Sequence, residues 1–142
     1  ENVNEAKDGM DIALCRIDKR TNELTFAGAN NSIHLLRKDR LIELKGDKQP
    51  IGISHFNTTQ QFIQQSVSLQ KGDIIYLFTD GYPDQFGGPL GKKFKYKQLE
   101  ELLLSIHQRE MNEQLEILEE VHRDWKGDLD QVDDICILGI KI

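Results

Sequence analysis

Apolar and polar positions alternate over much of the first half of the chain, with the period of two that is typical of β-strands. The alternation covers residues 10–17 and 23–27 around one polar turn, and residues 33–36 and 41–44 around another. Pairs of short apolar stretches joined by polar turns predict β-hairpins. We expect these four strands to form one antiparallel meander.

The second half begins with an unbroken apolar run, Ile74–Phe78. The run is too short for a helix and rich in β-branched and aromatic residues, so it predicts a strand that is covered on both faces. Apolar stripes at helical spacing predict two helices after it, and residues 135–140 predict a last strand. The stripes are Leu99, Leu102, Leu103 and Ile106 in the first helix, and Leu115, Leu118, Val121 and Trp125 in the second.

Composition limits the classes of protein to which the chain can belong. At 142 residues it has the length of one domain with a substantial core. Its 24 acidic residues exceed its 18 basic ones, which argues against nucleic acid as the main partner because phosphate binding needs a basic surface. No apolar run approaches the roughly 20 residues of a membrane-spanning helix. Cys15 and Cys136 lie in strand patterns, so we expect buried thiols in a reducing, cytoplasmic compartment.

Candidate chemistry lies at the ends of two predicted strands. Asp80 directly follows the central run in the dipeptide Asp80-Gly81, and Asp84 faces the same side if the intervening residues form a helical turn. Asp133 and Asp134 stand side by side before the last strand. Adjacent carboxylates repel each other unless a cation, hydrogen bonds or solvent relieve the repulsion. If the two strands are antiparallel neighbours, Asp80 and Asp133 meet, and an oxygen-only site of this kind suits Mg²⁺ or Mn²⁺.

Other kinds of site fit the sequence less well. An Asp-Gly pair often only caps a turn or a short helix, and this structural role for Asp80 is the simplest alternative. The four histidines show no metal-ligand spacing. Residues 128–133 begin like a calcium loop but lack the glycine and the glutamate of an EF-hand. The sequence contains neither a P-loop nor a dinucleotide-binding glycine motif.

Four short motifs in a fixed order give the chain a family resemblance. Together they resemble the SpoIIE-type branch of the metal-dependent serine/threonine phosphatases, the PPM or protein phosphatase 2C superfamily. The resemblance extends over residues 9–142 and implies an α+β fold, a four-layer αββα sandwich of two antiparallel sheets, in a single domain over residues 1–142. The motifs are Ala27-Gly28-Ala29-Asn30-Asn31, Pro50-Ile51-Gly52, Gly72-Asp73-x-x-Tyr76-x-x-Thr79-Asp80-Gly81, and Asp133-Asp134 before the terminal strand.

The resemblance also implies roles for single residues. Asp80 and Asp133 match metal ligands, Gly81 matches the backbone beside the site, and Asp84 and Asp134 match positions with a supporting or third-metal role. Two Mn²⁺ or Mg²⁺ ions are implied for each complete domain, with hydrolysis of phosphoserine or phosphothreonine by a metal-activated water. The implied substrate is a bacterial switch protein such as an anti-sigma-factor antagonist. The implied context is a cytoplasmic domain that follows a sensor domain, in some proteins a membrane-anchored one.

One element of the family is absent from the sequence. The motif Asp-x-Ser-Gly-His-Gly, whose aspartate bridges both metals in the family, does not occur. We therefore expect a fragment that is truncated at its N-terminus, with little activity of its own and with sheet edges that favour self-association. The alternative function is a non-catalytic PPM-like signalling module that binds a phosphoprotein or a regulatory partner.

Overall fold

The computed structural model describes residues 9–52 and 61–142. Over these two ranges the chain forms eleven strands and three helices. The helices are α1 (Gly81–Asp84), α2 (Tyr96–Ile106) and α3 (Met111–Lys126). The strands are β1 (Gly9–Met10), β2 (Ile12–Asp18), β3 (Glu23–Ala29), β4 (Ile33–Arg37), β5 (Arg40–Leu44), β6 (Ile51–Gly52), β7 (Gln65–Ser68), β8 (Ile74–Phe78), β9 (Phe86–Gly87), β10 (Lys92–Lys93) and β11 (Ile137–Lys141).

The smaller of two compact units carries a three-stranded sheet in the order β2-β3-β7. β3 is antiparallel to both neighbours, and its pairing with β2 along the whole strand confirms the first predicted hairpin. Leu24 and Phe26 are at most 1 % exposed, whereas Thr25 between them is only half-buried. This part of β3 therefore alternates in burial as its sequence predicts.

The larger unit contains His34–Ile42 and Lys71–Ile142, with most of a four-stranded sheet in the order β11-β8-β4-β5. β8 is antiparallel to both β11 and β4. Ile74, Ile75 and Tyr76 are each at most 1 % exposed. Because successive strand residues point to opposite faces, both faces of β8 are covered. The structure confirms the central strand predicted from the apolar run.

The prediction of one meander is wrong. The hairpin of β2 and β3 belongs to the three-stranded sheet, whereas the hairpin of β4 and β5 belongs to the four-stranded sheet. Ile33, His34, Leu35 and Leu36 are all buried, which is the pattern of an interior strand covered on both faces. Between the two hairpins Asn30 has a positive φ of 56°, a conformation that asparagine adopts more readily than most residues.

Helix α2 follows its predicted pattern. Leu99, Leu103 and Ile106 are buried, and together with Ile74 and Tyr76 of β8 they belong to one hydrophobic core cluster. The helix is thus stabilised mainly by the burial of its apolar stripe in the same core as the central strand.

Helix α3 departs from its predicted pattern at one position. Leu118 is buried, but Leu115 is 54 % exposed, and the core position one turn before Leu118 is held by Gln114, which is 2 % exposed. The Tyr76 hydroxyl donates a 2.6 Å hydrogen bond to Gln114 Oε1. Gln114 Nε2 donates to two carbonyls of the α2–α3 connection at 2.9 and 3.3 Å. Hydrophobicity does not reveal Gln114 as a core residue, because its burial depends on these partners.

Two tyrosine hydroxyls act as buried donors in this core. Besides the bond from Tyr76, the Tyr82 hydroxyl donates to the carbonyl oxygen of Leu118 at 2.8 Å. Burial raises the pKa of Tyr76 to about 12 and also raises the pKa of Tyr82. Both phenols therefore stay protonated and keep their hydrogen bonds at neutral pH.

Asp73, from the longest of the sequence motifs, has a structural role. It is 2 % exposed, and its two oxygens accept hydrogen bonds of 2.9 and 2.6 Å from Arg37 Nε and Nη2. The bond with the Asp73 carboxylate is the main cause of the raised pKa of Arg37. This two-pronged ion pair ties the end of β4 to the start of β8.

The two cysteines differ in burial. Cys15 is half-buried, but Cys136 is exposed, and both are free thiols. The predicted burial of Cys136 is wrong because the residue lies just before β11, where the chain is still at the surface. In the described ranges, no helix has both the length and the apolar character needed to cross a membrane.

We expect Tyr76→Phe to lower the free energy of unfolding by about 1–3 kcal/mol, because it leaves the buried Gln114 Oε1 without its donor. Tyr96→Phe is the matched control, since Tyr96 is 48 % exposed, and it should change the free energy by less than about 0.5 kcal/mol. Urea denaturation followed by circular dichroism measures both variants. Equal effects would contradict a stabilising role for the Tyr76–Gln114 bond.

Candidate functional site

The two acidic stretches of the sequence lie at one end of the β8–β11 pair. β11 runs antiparallel to β8 in a register that places Ile137 opposite Phe78. One residue further on, the Thr79 N–H donates a 3.0 Å hydrogen bond to the Cys136 carbonyl. The strands are thus antiparallel neighbours, and the chain leaving β8 toward Asp80 runs beside the chain that arrives from Asp133.

Residues 79–85, here called the Asp80 turn, are bound to residues 130–136, here called the Asp133 segment. The Thr79 hydroxyl donates to the Asp134 carbonyl at 3.0 Å and accepts the Cys136 N–H at 3.0 Å. A single side chain therefore adds two hydrogen bonds to the backbone bond between the two stretches.

Gly81 lies in contact with the same carbonyl. A Cβ atom at this position would lie 2.4 Å from the Asp134 carbonyl oxygen and 3.0 Å from its carbon. Real Cβ atoms do not approach backbone so closely, so the Asp133 segment occupies the space that any side chain would need. This contact gives a steric reason for glycine at position 81, and the site role that the family resemblance implies for Gly81 stays a prediction.

Gln85 joins the other end of the Asp133 segment to the Asp80 turn. It is 0 % exposed, and its Nε2 donates to the Asp130 carbonyl at 2.9 Å while its Oε1 accepts the Val132 N–H at 3.4 Å. Sequence analysis gave neither residue a role: Thr79 entered only as a member of the third motif, and Gln85 is a single polar residue without a spacing signal.

The carboxylates of this site are at the surface. Asp80, Asp133 and Asp134 are all exposed. Asp80 stands at the N-terminus of α1 but its side chain makes no capping hydrogen bond, so the simple capping role does not account for it. Asp133 Oδ1 accepts the Asp134 N–H at 2.7 Å, which orients that carboxylate and leaves Oδ2 outside this bond.

Asp84 has a basic partner. The short hairpin of β9 and β10 follows the Asp80 turn, and it brings Lys93 Nζ to 3.0 Å from Asp84 Oδ2. The same ammonium group lies 5.8 Å from the centre of the Phe86 ring. In this structure the charge of Asp84 is therefore balanced by a lysine.

Tyr96, the first residue of α2, is a second neighbour that sequence reasoning missed. Burial raises the pKa of its hydroxyl, and the negative charges of Asp80 and Asp84 raise it further. The only sequence signal is a tyrosine at a helix start, which does not point to a site.

The chemistry of the donors fits a divalent metal ion, but their number fits only part of its coordination shell. Exposed carboxylate oxygens are the ligands that Mg²⁺ and Mn²⁺ prefer. Across the described parts of the chain, no group of three or more histidine, cysteine, aspartate or glutamate side chains is arranged to hold a metal. Asp80 and Asp133 can therefore supply two ligands of a site that needs further ones.

Comparison with known proteins agrees with this geometry. The sequence matches the protein family described as Stage II sporulation protein E (SpoIIE) over residues 2–142. The SiaA-PP2C domain of Pseudomonas aeruginosa matches with a TM-score of 0.85 and 31 % sequence identity. The phosphatase domain of the cell fate determinant SpoIIE from Bacillus subtilis, presoaked with Mn, matches with a TM-score of 0.63 and 16 % identity. RsbX in complex with magnesium matches with a TM-score of 0.60 and 13 % identity.

These matches confirm the predicted fold class, an α+β protein with antiparallel sheets and the fold of PP2C phosphatase domains. The alignments cover 93 %, 93 % and 92 % of this chain in the order given above. The chain spans about half of each solved structure, 51 %, 56 % and 55 % respectively. Among curated protein sequences none matches this chain.

We expect Gly81→Ala to displace the Asp133 segment and to destabilise the protein by about 1–3 kcal/mol, the usual cost of forcing atoms into filled space. Gly139→Ala in β11 is the matched control. Its added Cβ would meet Met111 Cε, the flexible end of a side chain, at 2.6 Å, so the cost should be smaller. Thermal denaturation compares the two variants, and a larger loss at Gly139 would contradict the steric role of Gly81.

Proposed function

Because this chain belongs to the Stage II sporulation protein E (SpoIIE) family of PP2C-like phosphatases, we propose that it takes part in the metal-dependent hydrolysis of phosphoserine or phosphothreonine on a bacterial signalling protein. One observation supports this function above all. The Asp80 turn and the Asp133 segment, distant in sequence, are hydrogen-bonded to each other at one end of the β8–β11 pair.

The charges around this site indicate why a cation is needed. Asp80, Asp133 and Asp134 are exposed together, and the phosphate of the substrate is itself an anion. Without a cation these carboxylates repel the phosphate of the substrate. A cation bound to the carboxylates would instead attract that phosphate. Asp80 and Asp133 are the residues that we propose as ligands, and Asp134 and Asp84 have supporting roles.

Mn²⁺ or Mg²⁺ bound here would supply activation of water and stabilisation of negative charge on the phosphate. The chain's own contribution is to hold the two carboxylates in place. The bond from the Asp134 N–H fixes one oxygen of Asp133. Lys93 neutralises Asp84 and so limits the repulsion of an approaching phosphate.

The substrate and the cellular context are also proposals. We propose a phosphorylated switch protein, such as an anti-sigma-factor antagonist, as the substrate, and a sensor domain in the same protein as the source of the signal. This places the domain in the bacterial cytoplasm. These assignments rest on analogy with the family. Fold and family membership alone do not determine which substrate a domain acts on.

A non-catalytic signalling module is the second candidate function. The observation that favours it is that, among residues 9–52 and 61–142, no group of three or more histidine, cysteine, aspartate or glutamate side chains is arranged to hold a metal. Such a module would bind a phosphoprotein or a regulatory partner without hydrolysing it.

We expect Asp80→Asn and Asp133→Asn each to lower phosphatase activity by about a hundredfold or more in the natural full-length protein, because each removes a charged ligand. Asp124→Asn on α3 is the matched control. Its side chain is 73 % exposed, and its ion pair with the neighbouring Arg123 is long, at 4.0 Å. Because this carboxylate is not proposed as a ligand, the activity of the variant should stay near that of the wild type. The assay is Mn²⁺-dependent release of phosphate from a phosphoserine peptide.

The folded state of these variants should be as stable as wild type or slightly more so, since carboxylate repulsion is relieved in the metal-free protein. Activity within about tenfold of wild type in either variant would contradict the proposed ligand roles. A wild-type protein that binds the phosphopeptide but releases no phosphate would favour the non-catalytic module.

We expect the 142-residue chain alone to bind Mn²⁺ weakly and to hydrolyse phosphoserine peptides barely or not at all. Its described residues include no group of three or more acidic, histidine or cysteine side chains arranged to hold a metal, and Mg²⁺ in particular stays hydrated unless several ligands and a phosphate converge on it. Calorimetric titration with Mn²⁺, beside a version of the protein that spans the full family length, measures the difference. Equal affinity and equal turnover would show that the chain already holds a complete site.

A further inference from the structure

We propose that Thr79 and Gln85 are positioning residues that together hold Asp133 beside Asp80, one at each end of the Asp133 segment. The inference rests on the proposed function, in which Asp80 and Asp133 act as metal ligands. Neither residue is offered as a ligand or as a group that touches the substrate. Each acts through its hydrogen bonds to the backbone of the Asp133 segment.

The C-terminal end of the segment depends on the Thr79 hydroxyl. It bonds to the carbonyl of Asp134 and to the N–H of Cys136, both at 3.0 Å. The hydroxyl thus donates its one hydrogen to one backbone group and accepts a hydrogen bond from another. Valine has the same shape but can form neither bond.

The N-terminal end of the segment depends on the Gln85 side chain. Its amide donates to the Asp130 carbonyl at 2.9 Å and accepts the Val132 N–H at 3.4 Å. Gln85 is completely buried, and a buried amide is costly unless it is hydrogen-bonded. Its Nε2 also donates to the neighbouring Phe86 carbonyl at 3.0 Å, so the buried amide joins the Asp133 segment to the end of the Asp80 turn.

The position of the two residues in the sequence supports a shared role. Thr79 and Gln85 are the first and last residues of the Asp80 turn, so they bracket Asp80 and Asp84. Four of their side-chain bonds go to residues on both sides of Asp133. The turn that carries one proposed ligand thereby fixes the segment that carries the other.

Besides these side-chain bonds, the Asp133 segment has the backbone bond from the Thr79 N–H to the Cys136 carbonyl and a bond within the segment from Gln131 Nε2 to the Asp133 carbonyl at 2.8 Å. Five of its residues are exposed and belong to no strand or helix, from Asp130 through Asp134. Apolar burial therefore contributes little to its position. Ligand residues must be held to within about 0.5 Å of their working position to be effective. We therefore attribute the positioning of Asp133 to the hydrogen bonds from Gln85 and Thr79.

Amide hydrogen exchange in the metal-free protein tests the positional role directly. In Thr79→Val, exchange of the Cys136 amide should accelerate roughly tenfold, because the acceptor of its hydrogen bond is lost. In Gln85→Met, exchange of the Val132 amide should accelerate, with a smaller change at Cys136. Thr79→Ser keeps the hydroxyl and should stay within about twofold of wild type.

Thr25→Val is the matched control for loss of a threonine hydroxyl. Thr25 lies in β3, in the other compact unit, and pairs with Arg16 and Ser66 through the backbone ladder. Its replacement should leave exchange in the Asp133 segment unchanged. The comparison separates loss of a specific bond from a general effect of removing a hydroxyl.

Titration with Mn²⁺ alone, on the natural full-length protein, tests whether the positioning matters for the site. Thr79→Val should weaken Mn²⁺ binding about tenfold or more, as is usual for residues that orient metal ligands, and Thr79→Ser should restore it. Gln85→Met is buried and could reduce the folded fraction, so Thr79→Val decides the question.

The outcomes are distinct. If exchange at Cys136 in Thr79→Val stays within about twofold of wild type, Thr79 does not hold the segment and the inference is overturned. If exchange accelerates while Mn²⁺ affinity is unchanged, the residue is only structural, which also overturns it. If wild-type protein neither binds Mn²⁺ nor releases phosphate, the proposed function fails, and the exchange data alone decide whether Thr79 and Gln85 hold the segment.

Discussion

The antiparallel pairing of β8 with β11 is the constraint on which the rest of the site depends. The pairing is continuous from Lys141 opposite Ile74 to Ile137 opposite Phe78. Beyond its end, the Thr79 hydroxyl forms hydrogen bonds with the backbone of Asp134 and Cys136. β8 is buried on both faces, so it cannot shift without disrupting the core. The end of the strand pair therefore has a fixed position. The Asp80 turn and the Asp133 segment are attached to the protein at this rigid end.

The core beneath the site combines apolar packing with a few buried polar groups. Tyr76 and Tyr82 fill space in it, and their hydroxyls bond to Gln114 and to the Leu118 carbonyl of α3. The Tyr76 bond thus joins α3 to the central strand, and the Tyr82 bond joins α3 to α1, each with more directional specificity than hydrophobic contact alone. Gln85 repeats the arrangement at the edge of the core, where its amide binds a surface loop.

The sequence predicted the elements that depend on local pattern. The central strand follows from an unbroken apolar run, and the first hairpin and the apolar stripe of α2 follow from periodicity. β8 and β11 are antiparallel neighbours, which is the condition on which the predicted meeting of Asp80 and Asp133 depends. The assignment of both residues as metal ligands remains a prediction, as do the roles of Asp84 and Asp134. Periodicity failed where a polar residue is buried by its partners, as at Gln114, because such burial depends on residues distant in sequence.

Periodicity also failed to predict which strands share a sheet. Two adjacent hairpins look alike in sequence, and only tertiary contacts decide whether they share a sheet. Thr79 and Gln85 were missed for a similar reason, since their importance lies in the backbone groups that they bind. The residue pattern and the family resemblance both singled out Asp80 and Asp133, and the structure adds the hydrogen bonds from Thr79 and Gln85 to the backbone on both sides of Asp133.

The arrangement of Asp80 and Asp133 has a consequence for the unfolded chain. The two residues lie at opposite ends of a long excursion that contains α2 and α3, and closing so large a loop has an entropic cost that only the folded core can offset. In the unfolded state the two carboxylates are therefore far apart on average. An ion that needs both of them binds the native state alone, and at a hundred times its dissociation constant it would add about 2.7 kcal/mol to the free energy of unfolding. Cellular metal supply would then act on the lifetime of the folded protein as well as on its chemistry.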